Sequence, residues 1–257
     1  MNETIAFVNA SGQARHRLLA THGEPLFHAR WDRAVFIHYE CDPEALQKCL
    51  PFPLDLYNGR AFVSVVAFTM QEMRPRLGGP IAAWLFKPIA THRFLNVRSY
   101  VKHKGEPGIY FMAEWLSNRL SVLLGPVTFG LPYRFGQIEY WHNPDAGELE
   151  GRIASTYGAF EYCALPAVEF DLCEPGSVTE FLLERYTAYT CAGSRKRFFR
   201  VWHEPWQQAP MEIASIADDL LSTTGSWWST ARYSFGNYSP GVDVWMGRPH
   251  RIKEIRL

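Results

Sequence analysis

The chain has 257 residues, with 26 Lys plus Arg set against 26 Asp plus Glu. That balance leaves no basic excess to neutralise a run of phosphates, so no nucleic-acid partner is expected. No window approaches the ~20 apolar residues that span a bilayer, so no membrane partner is expected either. The 47% hydrophobic composition supplies a sizeable core, and nine Trp, twelve Tyr and seventeen Phe favour strands. The length suits a single β-rich domain of about 250 residues. The five cysteines (Cys41, Cys49, Cys163, Cys173 and Cys191) include no CxxC pair. They form no disulfide framework or zinc spacing, and no metal or other cofactor is expected. The opening Met1-Asn2-Glu3-Thr4 lacks the charged start and apolar run of a signal peptide. Reduced thiols and a cytoplasmic location follow as expectations.

In chain order, residues 1–25 read as a polar arm or short helix, and residues 26–257 as one domain. Ala34–Tyr39 is an apolar, β-branched strand ending at Asp42-Pro43. Pro43–Leu50 is a short helix with proline at its start. Asn58-Gly59 is a turn, and Ala61–Met70 is a nearly all-apolar strand, expected to be buried on both faces. Residues 74–90, rich in Pro and Gly, read as a loop with an apolar tip at Ile81–Phe86. That tip either covers a cavity or tucks into the core, with core packing preferred. Asn96–Lys102 alternates, with Asn96, Arg98 and Tyr100 on one face and Val97, Ser99 and Val101 on the other. Ile109–Trp115 is its returning partner. Ser117–Leu124 has helical spacing, with Ser117 as candidate N-cap. Gln137–Trp141 and Glu150–Thr156 are strands linked by a turn at 143–147, and Ala159–Cys163 is another. Ser177–Tyr189 is the clearest helix, capped by Ser177 with Glu180 following. Later strands are Arg197–Trp202, Glu212–Ile216 and Ala231–Trp245, the last broken at Ser239-Pro240-Gly241. This is an α+β pattern, mostly antiparallel β, with two or three flanking helices around a sheet curled into a barrel.

Familiar catalytic motifs are missing. There is no phosphate loop, no GxGxxG after a strand, no GxSxG and no HExxH. His203-Glu204 continues to Pro205-Trp206 without a second histidine. His38 and His203 are read as hydrogen-bonded structural histidines within strands.

An ordered series of motifs carries a resemblance. It runs from Asn96-Val97-Arg98-Ser99-Tyr100-Val101 through Gly108-Ile109-Tyr110-Phe111 and Leu120-Ser121-Val122 to Phe129-Gly130-Leu131-Pro132-Tyr133. Cys41-Asp42-Pro43 precedes it, and Phe181–Tyr186 and His203–Trp206 follow. The series resembles the YqjF-like bacterial family of unknown function over roughly residues 30–245. That family is remotely similar to acetoacetate decarboxylase, an antiparallel barrel in which a lysine of lowered pKa forms a Schiff base with a keto acid. The resemblance implies that fold. It also implies that Pro132-Tyr133-Arg134 stands at the lysine's corner. Tyr133 cannot form a Schiff base, and Arg134 is not a nucleophile. Phe94 and Trp115 stand where the family often has acids, with Glu114 beside Trp115.

The expected function is therefore binding of a small organic molecule, such as a carboxylate, in a barrel cavity without Schiff-base catalysis. Asn96, Arg98, Tyr100, Tyr133 and Arg134 are the candidate ligand residues, since an arginine fork suits a carboxylate. Arg98 could instead pair with an internal Glu or backbone carbonyls. A keto-acid lyase is the alternative. A non-catalytic interaction module using Trp227-Trp228 or the apolar segment near Trp84 is a third reading, and homo-oligomerisation stays open.

Overall fold

Long apolar runs build the frame. The structure, a computed structural model, describes residues 3–143 and 147–252, with side chains from residue 10 onward. Its strands are β1 (Phe27–Cys41), β2 (Ala61–Pro75), β3 (His92–His103), β4 (Glu106–Leu116), β5 (Tyr133–Phe135), β6 (Gln137–Asn143) and β7 (Glu148–Ser155). They continue as β8 (Gly158–Pro166), β9 (Asp171–Leu172), β10 (Thr187–Ala192), β11 (Arg195–His203), β12 (Gln207–Asp218), β13 (Arg232–Met246) and β14 (His250–Arg251). The helices are α1 (Glu3–Leu19), α2 (Pro43–Gln47), α3 (Gly79–Ala90), α4 (Arg119–Thr128) and α5 (Val178–Leu183). None of them is long and apolar enough to cross a membrane.

The strands form one sheet. Neighbours run β11-β10-β4-β3-β2-β1-β13, and β13 pairs back with β11 through Val201↔Met246, Trp202↔Trp245 and His203↔Val244. Seven strands thus close into a ring, antiparallel except where β10 runs parallel to β4. The sheet also continues from β13 through β12, β8 and β7 to β6. This arm folds over the outer face of β1–β4.

Residues β1–β4 are consequently buried on both faces, which is why they read as continuous apolar runs. Phe36, Phe62, Val66, Phe68, Ile109 and Phe111 belong to the cluster inside the ring. Their neighbours Val35, Ile37, Val65, Leu95, Val97 and Trp115 belong to the second cluster, with Ile153, Phe160 and Tyr162 from the arm. Alternation along each strand sorts side chains between the two. Between β3 and β4 a β-bulge interrupts it: Val97 pairs with Ala113 and Arg98 with Phe111, leaving Met112 unopposed.

Several local expectations are corrected. Residues 79–90 form α3 rather than a loop, because Pro80 occupies the first helical turn, where its missing N–H is harmless. Asn118, not Ser117, caps α4, accepting from Ser121 N at 3.0 Å. The helix capped by Ser177 ends at Leu183 and the chain re-enters the sheet as β10 at Thr187. Arg185 Nε bonds back to the Phe181 carbonyl at 2.6 Å, and its guanidinium meets Asp55 at 2.7 Å, which ties the turn down. Of the arm or short helix expected at the start, the structure has a helix, α1, of 17 residues, and among the described residues five α-helices flank the sheet where two or three were expected. β13 is unbroken at Ser239-Pro240-Gly241, because Gly241 lies where a Cβ would meet the Trp31 carbonyl oxygen at 2.3 Å. Within the expected turn at 143–147, residues 144–146 lie outside the described residues.

The ring interior is aromatic and close-packed around its lower half. Truncating Phe36, fully buried there, leaves a void that its neighbours cannot fill. Phe36→Ala is expected to lower the unfolding free energy by about 3–5 kcal/mol in denaturant titration. A loss under about 1 kcal/mol would mean the interior is loose.

Candidate functional site

The register places the ends of the ring. Phe27 pairs with both Pro75 and Met246, Met70 with His92, and Phe94 with Leu116. The start of β1 and β3 and the close of β2, β4 and β13 therefore share one end. α3 joins β2 to β3 there, and α4 follows β4. At the opposite end α5 packs against Tyr100 through Phe181 and closes the ring.

Between these ends lies a cavity of about 300 Å³. Its wall is mainly apolar, with Phe36, Phe111 and Trp206 among its lining and Phe27, Phe68, Phe86, Leu124, Phe129 and Phe199 toward α3 and α4. Set into that wall are Asn96, Arg98, Glu114, Tyr133, His92 and His203.

Asn96 and Arg98 stand two apart on β3 and so face the same way. Arg98 is 5% exposed. Its Nη2 donates to the Leu182 carbonyl at 3.2 Å, its guanidinium lies over the Phe36 ring, and its Nε has no partner. No carboxylate among the described residues forms an ion pair with it. Arg185, by contrast, is answered by Asp55, which also holds Lys102 at 2.8 Å. A buried charge without a counter-charge costs several kcal/mol, so Arg98 is a standing demand for an anion.

Asn96 pairs with Glu114 across β3 and β4, and Glu114 pairs with Tyr133 across β4 and β5. Directly opposed residues hold their Cβ atoms about 4.5–5.5 Å apart. Asn96 Oδ1 and Glu114 Oε2 are buried without hydrogen-bond partners. Burial pushes the Glu114 carboxyl well above the usual carboxylate range. Burial, and then the nearby Glu114, push the Tyr133 hydroxyl well up too. Burial thus favours the proton-bearing form of both groups. Gly125 of α4 makes room for Tyr133: a Cβ there would lie 2.1 Å from the ring.

Burial also holds histidines neutral. His203 is pushed down to about 4 by burial and the Arg98 charge, and His92 to about 4 by burial. His38 falls to about 3 for the same reasons as His203, and it bridges Ser64 Oγ at 2.6 Å and Asn237 Oδ1 at 3.2 Å. His142, about 4 through burial, bonds to Tyr162 Oη at 2.6 Å.

Of the five residues singled out in sequence, the cavity brings together Asn96, Arg98 and Tyr133. Tyr100 points into the inner cluster below the cavity, where its hydroxyl bonds to Ser64 Oγ at 2.5 Å. Arg134 follows Tyr133 on a strand and so faces the other way, over the Trp115 and Tyr157 rings. The expectation that the chain lacks an acid here is corrected. Trp115 faces the outer cluster and Glu114 faces the cavity. Strand parity counted from Ile109 and Phe111 points Glu114 outward; the bulge at Met112 and the pairing with Asn96 turn it into the cavity. The cavity-lining residues include no lysine. Among the described residues, Glu148, Glu150 and Cys163 bring metal-binding atom types within 4.8 Å of one another, but on the β7–β8 surface, away from the cavity.

With this geometry in hand, the comparisons decide the family. Residues 28–243 match DUF2071, described as an uncharacterized conserved protein. The chain belongs to that family. The uncharacterized protein YqjF of Bacillus subtilis (strain 168) is 32% identical over 189 residues, covering 72% of this chain and 76% of YqjF. Among solved structures, an acetoacetate decarboxylase-like enzyme from Sphingomonas wittichii RW1 is similar with a TM-score of 0.63 at 14% identity, covering 90% of this chain and 95% of that one. The acetoacetate decarboxylase of Legionella pneumophila gives 0.60 at 14%, covering 88% and 87%. The enduracididine biosynthesis enzyme MppR complexed with pyruvate gives 0.60 at 15%, covering 88% and 90%. At such identities the likeness establishes a shared fold, as the YqjF-like motifs implied.

Two pH effects follow. His38, His92, His142 and His203 have folded pKa values below the ordinary 6.5, so unfolding takes up protons as pH falls from about 6.5 toward 4. Glu114 and Glu184, the latter raised to about 7 by burial, release protons on unfolding in that window and oppose the trend. Four histidines outweigh two carboxyls, so the thermal midpoint is expected to fall across that window; a flat profile would contradict the buried neutral histidines. Glu114→Gln should match the parent near pH 5 and exceed it near pH 9, because the parent's raised carboxyl loses stability as pH rises. A variant less stable at both values would show that Glu114 is ionised and paired.

Proposed function

We propose that this protein binds a small amphiphilic carboxylate in the ring cavity, head on Arg98 and apolar body toward α3 and α4. The observation that carries the reading is the buried Arg98 guanidinium with no acid beside it and Nε unpartnered. A ligand carboxylate supplies the missing charge and accepts from Nε, a charge-assisted bond stronger than a neutral one. The protonated Glu114 carboxyl donates its O–H to a second ligand acceptor midway along the cavity, and Asn96 Oδ1 accepts from a ligand hydroxyl or amide. Phe94 to Arg98 spans four strand residues, about 13 Å at ~3.3 Å each, room for a chain of several carbons. About 300 Å³ is at the small end of ligand pockets. A pyruvate complex of MppR supports a small carboxylate as the kind of ligand this fold admits. Neither Tyr100 nor Arg134 has a place in this reading.

The buried carboxyl of Glu114 favours a second reading, an enzyme that donates a proton to a bound keto acid. It dispenses with Schiff-base formation, which needs an amine that the cavity wall does not supply. The balanced charge supports a reading without nucleic acid.

Thermal shift with straight-chain carboxylates of graded length and pyruvate tests the first reading. Carboxylates are expected to raise the midpoint and the matching primary alcohols not to. Arg98→Gln should weaken binding at least about tenfold, near 1.4 kcal/mol, without lowering the ligand-free midpoint. No response at millimolar carboxylate, or an undiminished response in Arg98→Gln, would sink the assignment. Borohydride treatment with pyruvate should leave the mass unchanged; a lysine adduct would restore the decarboxylase reading.

A further inference from the structure

The two helices at the cavity mouth carry an uncovered apolar face. α3 has no buried residue at all. Ile81 is 75% exposed, Trp84 71% and Leu85 63%, and their i, i+3, i+4 spacing puts them on one side. On α4, Leu120, Leu123, Leu124 and Val127 repeat the pattern, with Leu123 68% and Val127 77% exposed. Asn118 Nδ2 donates to the Pro88 carbonyl at 2.7 Å and holds the end of α3 against the start of α4. The two stripes lie side by side on neighbouring helices, a contiguous arrangement rather than scattered surface apolar residues.

Charge along the two helices has one sign, with Glu72 of β2 exposed at the base of α3, where its backbone N–H donates to Thr91 Oγ1 at 3.2 Å. No Asp or Glu occurs from Met73 to Gly105, or from Trp115 to Ile138. Exposed Arg76, Lys87 and Arg119 lie within those stretches. Two copies set face to face would bring these like charges together, which opposes a twofold pairing of this surface. An anionic lipid surface meets both features: acyl chains take the apolar stripe, headgroups meet the cations, and an exposed tryptophan suits the boundary between them.

We propose that α3 and α4 dock this protein on the surface of an anionic lipid bilayer, with Ile81, Trp84, Leu123 and Val127 below the headgroups and Lys87 and Arg119 against the lipid phosphates. The absence of a spanning helix is unaffected, since the helices lie on the bilayer rather than through it. The expectation of no membrane partner was an expectation about spanning segments, which this proposal leaves in place. Phe86 and Ile89 of α3 and Leu124 of α4 line the cavity, so docking turns the cavity mouth toward the acyl layer. The inference goes beyond the ligand reading and stands without it.

Co-sedimentation with vesicles tests it. The full chain is incubated with vesicles of equal parts phosphatidylglycerol and phosphatidylcholine, and with phosphatidylcholine alone. Binding to the anionic vesicles is expected to be at least tenfold stronger and to weaken as salt rises. The triple variant Trp84→Ser, Leu123→Ser, Val127→Ser, altered only at exposed positions, should fall to background. Lys87→Glu with Arg119→Glu should lose the preference for anionic lipid. Arg98→Gln should bind vesicles as the parent does, which separates this proposal from the cavity reading. The proposal is overturned if the parent stays in the supernatant with anionic vesicles. It is equally overturned if light scattering shows a dimer that the triple variant dissociates, for then a second copy covers the face.

Discussion

Three residue pairs join β11 to β13, and the interior exists because of them. Without that contact the seven strands would be an open sheet whose inner face, rich in phenylalanine, would meet water. Closure turns one sheet face into a lumen, and the continuing arm of β12, β8, β7 and β6 buries the other. β1–β4 then have no solvent face, and any polar side chain on them must find a partner inside the protein or wait for one. Ser64, His38, Asn237 and Tyr100 have found partners in one another. Arg185 has Asp55. Arg98, Asn96 and Glu114 retain unpartnered atoms, and all three line the same cavity.

That contrast is the physical basis for reading the cavity as a binding site. Buried polar atoms are nearly always satisfied, so the orphans around this void are the observation on which the proposed ligand rests. Their chemistry is graded along the strands: a cation deepest, a neutral carboxyl and an amide midway, aromatic and aliphatic groups at the mouth. An amphiphile has the same order of parts. The position that the resemblance assigns to a catalytic lysine holds Tyr133, whose neutral hydroxyl beside a neutral Glu114 makes a donor-rich wall instead of a nucleophile.

Much of this was legible in the sequence. Ala61–Met70 announced burial on both faces, because only a strand without a solvent side reads as an unbroken apolar run. The alternation of Asn96, Arg98 and Tyr100 set one inward face, and the ordered motifs pointed to the fold. What escaped depended on tertiary context. Tyr100 shares the face of Arg98, but Ser64 captures its hydroxyl beneath the cavity. Arg134 could have been set aside by strand parity alone, being next to Tyr133. Glu114 needed the pairing of β4 with β3, which a single chain does not print. α3 is obscured by Gly78, Gly79 and Pro80, which serve at its start, and by Pro88, which sits inside its last turn. The helix at Ser177 is shorter than its sequence suggests, because Arg185 lies in a buried turn and Tyr189 in β10.

The claim at the centre is that Arg98 is a cation awaiting an anion. The Nε–H resonance of Arg98, identified by its loss in Arg98→Gln, reports directly on that atom. On saturation with a medium-chain carboxylate it should move downfield and exchange more slowly with water, as a charge-assisted hydrogen bond forms. A resonance that stays in place while the ligand binds would show that the guest is held elsewhere and that Arg98 only braces the ring.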